Sequence, residues 1–114
     1  MRQFLSILLI SFGFTFQTTN KDLEKDLNKN LLIVEYNAPF NLKNAYKGFD
    51  LLSGVSKNRV CIETSPEQRK VMAIKNVPTL ILFLNNKEVS RWTAGLDMQI
   101  HTSTQDIQSV INKY

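Results

Sequence analysis

The sequence predicts a single α/β domain in which helices cover a central mixed β-sheet. Three observations carry this prediction. The 114 residues suffice for one hydrophobic core and leave no room for a second. Apolar runs of strand length alternate with amphipathic stretches of helical period. Finally, 43% of the residues are hydrophobic and the chain has only four glycines and three prolines, a composition typical of ordinary globular proteins.

The first twenty residues differ from the rest of the chain. Arg2 precedes an apolar run over residues 4–16, and a polar segment follows. This run has the length of the apolar part of a secretory signal peptide and is shorter than the roughly 20 residues that span a bilayer. We therefore predict a signal peptide at 1–17, a mature domain at 18–114, and export to the periplasm, or to the endoplasmic reticulum or extracellular space. Because no A-x-A-like cleavage site is present, a retained membrane anchor stays open.

The first half of the mature part predicts a helix, a strand, a second helix and a second strand. A short amphipathic helix begins near Asn20. Residues 31–36 are continuously apolar and rich in β-branched side chains, which predicts a central strand buried on both faces. Apolar side chains three and four positions apart predict a helix over 41–55 that ends near Gly54. Residues 59–63 predict a second short strand.

The second half predicts a helix, a hairpin and a final helix. Residues 65–73 begin with a serine and a proline, which are suited to the N-cap and first position of a helix. The runs 79–84 and 88–95 are joined by a short polar turn and predict an antiparallel hairpin. Ser103 or Thr104 caps the last helix. This order of elements predicts a sandwich whose sheet contains a parallel pair and an antiparallel pair of strands.

Charge and ligand-type residues exclude several classes of function. The formal charge of +4 comes from Lys and Arg residues that mostly alternate with acids. Nucleic-acid binding would require clustered Lys and Arg side chains with aromatic side chains among them, and only residues 67–70 approach such a cluster. His101 is the only histidine, and no second ligand candidate accompanies it in a metal-binding pattern. We therefore predict no nucleic-acid partner, no metal site and no cofactor.

Two stretches, "VEYNAPF" at 34–40 and "KNVPTLILF" at 75–83, carry a resemblance to a known family. In this order they resemble the thioredoxin fold, and more specifically its protein disulfide isomerase branch, over about residues 20–114. The resemblance implies a thioredoxin-like three-layer sandwich. Residues 38–40 match the lead-in to the Cys-x-x-Cys motif of the family. The four motif positions are occupied by Asn41, Leu42, Lys43 and Asn44. The segment from this motif to the second strand is several residues shorter than in typical members.

The substituted motif lacks the chemistry of disulfide exchange. That reaction requires a thiolate at the helix start and usually a second thiol three residues later. Asn41 and Asn44 supply neither, so we predict that the chain is not an oxidoreductase of this type. We interpret Asn41 as an N-cap that accepts a hydrogen bond from the backbone N–H of Lys43 or Asn44. A contact with a ligand is the alternative interpretation.

Glu35 matches the buried acid that shuttles protons to the cysteines in active members of the family. Here it has no thiol to serve. A carboxyl group inside an apolar strand must reach water or a base, because its burial is costly otherwise. We expect Glu35 to lie at the sheet edge or to pair with Lys43 or Lys75. A functional vestige is the alternative.

The Val-Pro-Thr signature predicts a binding surface that needs no cysteine. The resemblance implies that Pro78 follows a cis peptide bond and that the backbone of Val77 pairs with an extended segment of a client protein. Phe40 would be an exposed aromatic, with Leu42 and Trp92 near it, unless Phe40 and Trp92 belong to the core. The predicted partner-binding residues are Phe40, Leu42, Val77, Pro78 and Thr79.

Three functional hypotheses follow from these patterns. The favoured one is a redox-inactive module that binds a protein partner or an unfolded polypeptide segment, with membrane contact only if the N-terminal run is retained. The second is a redox protein that uses Cys61, the single cysteine and the candidate reactive thiol. The apolar neighbours of Cys61 favour a buried structural thiol, on the far side of a helix from the motif. The third is a purely structural subunit.

Overall fold

The computed structural model describes residues 29–114, which form a four-stranded sheet covered on both faces. The strands are β1 (Leu31–Asn37), β2 (Ser56–Cys61), β3 (Thr79–Leu84) and β4 (Lys87–Thr93), the helices are α1 (Pro66–Val71) and α2 (Thr104–Ile111), and two 3-10 turns span Pro39–Asn44 and Phe49–Leu51. The predicted signal peptide at 1–17 and the predicted helix near Asn20 lie outside the described residues.

The order of the strands in the sheet is β2-β1-β3-β4. β1 runs parallel to β2 and antiparallel to β3, and β3 forms an antiparallel hairpin with β4. The apolar run at the start of the domain is therefore an internal strand, as its composition predicted. The predicted combination of a parallel and an antiparallel pair in one sheet is confirmed, and so is the α/β three-layer architecture.

Side chains alternate along the inner strands and build one apolar cluster on each face of the sheet. On β1, Ile33 points to the face covered by α2, while Val34 points to the opposite face. On β3, Leu80 and Leu82 share the face of Ile33, and Ile81 faces the other way. Four of these five side chains are completely inaccessible to solvent, and Val34 is nearly so. Because successive side chains point to opposite faces and both faces are buried, these inner strands need apolar side chains on both faces, which gives the continuous apolar runs in the sequence.

The predicted helix over 41–55 is wrong. This stretch contains the two 3-10 turns Pro39–Asn44 and Phe49–Leu51. The Tyr46 N–H donates to the Glu35 carboxylate at 2.6 Å instead of to a carbonyl one turn back, which interrupts the helical ladder. Close to this break, a Cβ on Gly48 would lie 1.8 Å from the Thr104 hydroxyl oxygen, so only glycine permits this approach to α2.

The other elements differ from their predicted bounds by a few residues. β2 begins at Ser56 because its polar first half pairs with the apolar start of β1. Asn85 and Asn86, both with positive φ, form the two-residue turn of the hairpin. Ser103 caps α2 through its hydroxyl oxygen, which accepts from the Asp106 N–H at 3.1 Å. Ser65 occupies the N-cap position of α1, as predicted, but its side chain forms no capping hydrogen bond.

Candidate functional site

The loop that precedes β3 faces the 3-10 turn that follows β1. The Val77–Pro78 peptide bond is cis. The Pro78 carbonyl accepts from the Ala94 N–H at 3.1 Å, and the Thr79 hydroxyl donates to the Asn76 carbonyl at 2.6 Å. These bonds fix the loop at the start of β3 and beside the end of β4. Pro78 and Thr79, two of the predicted partner-binding residues, are buried.

Asn41 connects three segments through a buried side-chain amide. Its Nδ2 lies 3.2 Å from the carbonyl oxygens of both Val77 and Met98, and 3.3 Å from Oδ1 of Asn37. Since carbonyl oxygens only accept, the amide nitrogen must face them. Asn41 Oδ1 in turn accepts from Asn44 Nδ2 at 2.8 Å. The predicted N-cap role is therefore wrong: Asn41 lies inside the 3-10 turn, and its side chain points inward between loops.

Glu35 is buried beneath the same turn, and both of its carboxylate oxygens are hydrogen-bonded. Oε2 accepts from the Tyr46 N–H, and Oε1 accepts from Arg59 Nε at 2.8 Å. The expected partners Lys43 and Lys75 are thus wrong, and so is the expected position at the sheet edge. Arg59 is the partner because the parallel register of β1 and β2 sets it directly opposite Glu35.

A groove of about 260 Å³ opens between the 3-10 turn and the loops before β3 and after β4. We call it the Val77 groove. Its apolar lining side chains are those of Ala38, Phe40, Ile62, Val77, Leu96 and Met98. Phe40 is 64% exposed, Met98 is also exposed, and Leu96 is completely exposed. Large apolar side chains that remain in water around one groove are typical of a binding surface.

The two backbone hydrogen-bonding groups of Val77, a residue that lines this groove, differ in whether they have a partner. Its carbonyl oxygen already accepts from the Asn41 amide. Among the hydrogen bonds formed by residues 29–114, none is donated by the Val77 N–H. A polar group of this kind is stabilised when a partner supplies the missing acceptor.

Leu42 and Cys61 line a second cavity, of about 220 Å³, on the other side of the turn. We call it the Cys61 cavity; its remaining apolar walls come from Ala38, Pro39, Ala45 and Val60. Cys61 is half-buried, and the backbone N–H groups of Thr64 and Glu63 lower the pKa of its thiol. The expectation that Cys61 lies far from the motif is wrong, because it shares this cavity with Leu42 of the substituted motif. Leu42 and Phe40, which were expected to form one patch, thus line different cavities, and Lys43 is exposed.

Two other residues considered in the sequence lie outside both cavities. Trp92 packs against the apolar cluster on the α2 side, which agrees with the core alternative for Trp92, whereas Phe40 is exposed. His101 Nε2 lies 2.5 Å from Asp97 Oδ2 on the surface. This contact lowers the pKa of the Asp97 carboxyl. Across residues 29–114, no group of three or more His, Cys, Asp or Glu side chains could hold a metal ion.

Leu96 and Met98 were missed by sequence reasoning, although they form one wall of the Val77 groove. The signal was present in "AGLDM" at 94–98, where two large apolar residues follow a glycine at a strand end.

Within the part of the chain that the structure describes, none of the helices has the length and apolar character required to cross a membrane.

Comparisons with known proteins identify the fold. No protein-family model matches the chain, and no curated protein sequence matches it. Among solved structures, it is similar to thioredoxin from Fasciola hepatica, with 17% identity, coverage of 84% of this chain and 92% of that chain, and a TM-score of 0.57. A mutant thioredoxin from Halobacterium salinarum has 14% identity, coverage of 86% and 84%, and a TM-score of 0.58. The germline-specific thioredoxin Deadhead from Drosophila melanogaster has 11% identity, coverage of 91% and 98%, and a TM-score of 0.55. The chain therefore has the thioredoxin fold.

Proposed function

We propose that this chain is a redox-inactive thioredoxin-like module that binds an extended segment of a protein partner in the Val77 groove. The observation that carries the proposal is the set of exposed apolar side chains, Phe40, Leu96 and Met98, around a backbone N–H that lacks an acceptor within residues 29–114. An extended segment supplies both an apolar side chain for this wall and a carbonyl oxygen for that N–H.

The chemistry at the motif supports binding without disulfide exchange. The chain has one cysteine and therefore no Cys-x-x-Cys pair. At the first motif position, the Asn41 amide is committed to hydrogen bonds with the loops on both sides of the groove. An amide is neither a thiol nucleophile nor a redox couple, so Asn41 serves as a fixed support for the groove. The pattern of residues 1–17 further supports a role outside the cytoplasm.

Binding to a permanently unfolded polypeptide tests this proposal. The probe is fluorescein-labelled α-lactalbumin that has been reduced and carboxymethylated, and the measurement is fluorescence anisotropy with the full chain. Phe40→Ser removes an exposed anchor and should weaken binding by about fivefold or more, since interface anchors contribute roughly 1 kcal/mol or more.

Leu51→Ser is the control, because Leu51 is also an exposed, large apolar side chain but does not line the groove. It should leave the affinity unchanged. Absence of binding by the unmodified chain would refute the proposal, and so would an equal loss of affinity in Phe40→Ser and Leu51→Ser.

Thiol exchange through Cys61 is the second candidate function. It is supported by the lowered pKa of the Cys61 thiol and by the apolar cavity beside it. In such a reaction the Cys61 thiolate would attack a disulfide of an external substrate, form a mixed disulfide and release the other sulfur as a thiolate. Alkylation of the native chain with iodoacetamide, combined with an assay for reduction of insulin disulfides in which dithiothreitol resolves the mixed disulfide and supplies the electrons, distinguishes the two candidates. Rapid alkylation, together with an acceleration of disulfide reduction over dithiothreitol alone that is lost in Cys61→Ser, would favour this second function.

A further inference from the structure

More positive than negative side chains line the Val77 groove. Arg69 from α1 and Lys75 from the following loop contribute two cations, and Glu63 contributes one anion. Within residues 29–114, neither Arg69 nor Lys75 forms an ion pair, in contrast to Arg59 and Arg91. The groove therefore has a net positive charge that the described part of the protein leaves uncompensated.

The two cations lie at the same corner of the groove. Arg69 Nε is 3.5 Å from the carbonyl oxygen of Ile74, the residue directly before Lys75. The guanidinium is thus beside the backbone that carries Lys75, and Val77 follows two residues later. Both cationic side chains are exposed, so they can move toward a partner without a large cost of desolvation.

We propose that the segments preferred by the Val77 groove carry a carboxylate next to their apolar anchor residue. This inference rests on the proposed function, because it concerns the occupant of the same groove. Phe40, Leu96 and Met98 form the apolar wall, and Arg69 and Lys75 form the cationic corner. An acidic and apolar segment complements both parts, whereas a basic segment would meet like charges at that corner.

The size of the preference follows from the exposure of the cations. An exposed ion pair contributes about 0.2 to 1 kcal/mol, so two such contacts predict a preference of roughly two- to thirtyfold for an acidic over a basic segment. Salt should reduce this preference strongly, because the Debye length falls to about 3 Å near 1 M ionic strength. The apolar contribution should persist in high salt.

Three labelled peptides of roughly nine residues test the inference. They share a central Leu-Phe pair in a Gly/Ser background and differ only in two flanking positions, which are Glu, Gln or Lys. Fluorescence anisotropy with the full chain should give the tightest binding for the Glu peptide and the weakest for the Lys peptide at low salt. The double variant Arg69→Glu/Lys75→Glu should reverse this order, and Arg69→Gln/Lys75→Gln should remove the preference for the Glu peptide, since Glu63 is then the remaining charge that lines the groove.

Lys87→Glu/Lys113→Glu is the matched control, since it changes the net charge equally at two exposed positions that do not line the groove. It should keep the preference for the Glu peptide. Equal affinities for the three peptides, with Phe40→Ser still weakening all of them, would overturn the inference and leave the proposed function intact. Loss of the preference in the control variant would also overturn it, because the charge would then act through the whole chain. Absence of binding by every peptide and by the unfolded polypeptide would refute both proposals.

Discussion

Glu35 and Asn41 are both almost completely buried near the carboxyl end of β1, with exposures of 1% and 2%, yet they hold different parts of the molecule. The charged Glu35 binds the Tyr46 N–H and Arg59, and so fixes the segment after the motif to the sheet. The neutral Asn41 binds the carbonyl oxygens of Val77 and Met98, and so fixes the two loops that border the Val77 groove.

Two buried polar side chains at the same end of β1 thus hold different parts of the molecule in place. Glu35 contributes mainly to the fold, because its partners lie on the sheet and in the segment between the two 3-10 turns. Asn41 contributes mainly to the shape of the binding surface, because its partners belong to the walls of the groove. Variants at the two positions should therefore differ in whether they affect stability or partner binding.

The largest expected effect is that of Glu35→Leu on stability. The substitution leaves the buried Tyr46 N–H without an acceptor and removes the carboxylate that accepts a hydrogen bond from Arg59 Nε. We expect the free energy of unfolding to fall by about 2 to 3 kcal/mol. This is at or below the lower end of the cost of breaking a buried ion pair, because Arg59 is half-exposed and water can hydrate it. Urea denaturation of the full chain measures this change.

Asp50→Asn is the control for this variant, since Asp50 is exposed and lies 3.8 Å from Arg59. It should change the free energy of unfolding by less than about 0.5 kcal/mol. Where Glu35→Leu remains folded, its affinity for the unfolded polypeptide should stay within about twofold of the original. A larger loss of affinity in folded Glu35→Leu would contradict the separation of tasks.

Asn41→Leu should have a smaller effect on stability and a larger one on binding. It leaves the carbonyl groups of Val77 and Met98 without their donor, at an expected cost of about 1 to 2 kcal/mol in the free energy of unfolding. Because both walls of the groove lose their common support, the affinity for the unfolded polypeptide should fall by about threefold or more. Anisotropy and urea denaturation measure the two quantities on one preparation.

Asn44→Ala provides the comparison for Asn41→Leu, because it removes only the contact with Asn41 Oδ1 and leaves both wall contacts in place. Its effect on affinity should be clearly smaller than that of Asn41→Leu. An Asn41→Leu protein that loses stability but binds the probe as before would show that Asn41 supports the fold alone, as Glu35 does.

The smallest expected effect concerns a surface ion pair, which contrasts with the buried pair at Glu35. Arg91 donates to both carboxylate oxygens of Glu88 at 2.8 Å, and this hydrogen bonding lowers the pKa of Glu88 from its usual 4.5. A lowered pKa stabilises the folded state at pH values above 4.5, and this stabilisation is lost as the pH falls through the lower folded-state pKa. Since both side chains are partly exposed, the contribution should be below about 1 kcal/mol.

Thermal unfolding of Glu88→Gln and of the unmodified chain at several pH values measures this contribution. The Tm of the variant should be about 2 to 6 °C lower than that of the unmodified chain at neutral pH. The difference should shrink as the pH is lowered below the usual pKa of a glutamate. A difference that grows on acidification would contradict the assigned sign.

The sequence was informative where local pattern and burial agree, as in the internal strands β1 and β3, the hairpin and the cap of α2. It failed over 41–55, where the apolar spacing fits a helix but Glu35, eleven residues before Tyr46, takes the backbone N–H that the helix would use. Its choice of a lysine partner for Glu35 failed because the register of a parallel strand pair is not encoded locally. Leu96 and Met98 were missed since loop geometry, rather than periodicity, exposes them at the groove.

The central claim is that a partner segment binds in the Val77 groove and not in the Cys61 cavity. A two-dimensional 1H–15N NMR titration of the full chain with the Glu-containing peptide tests this most directly, because each backbone amide reports its own surroundings. We predict the largest chemical-shift changes at the amides of Phe40, Val77 and Met98, including a downfield shift of the Val77 N–H as it gains an acceptor. Changes confined to Leu42, Val60 and Cys61, or an unchanged spectrum at saturating peptide, would contradict the account.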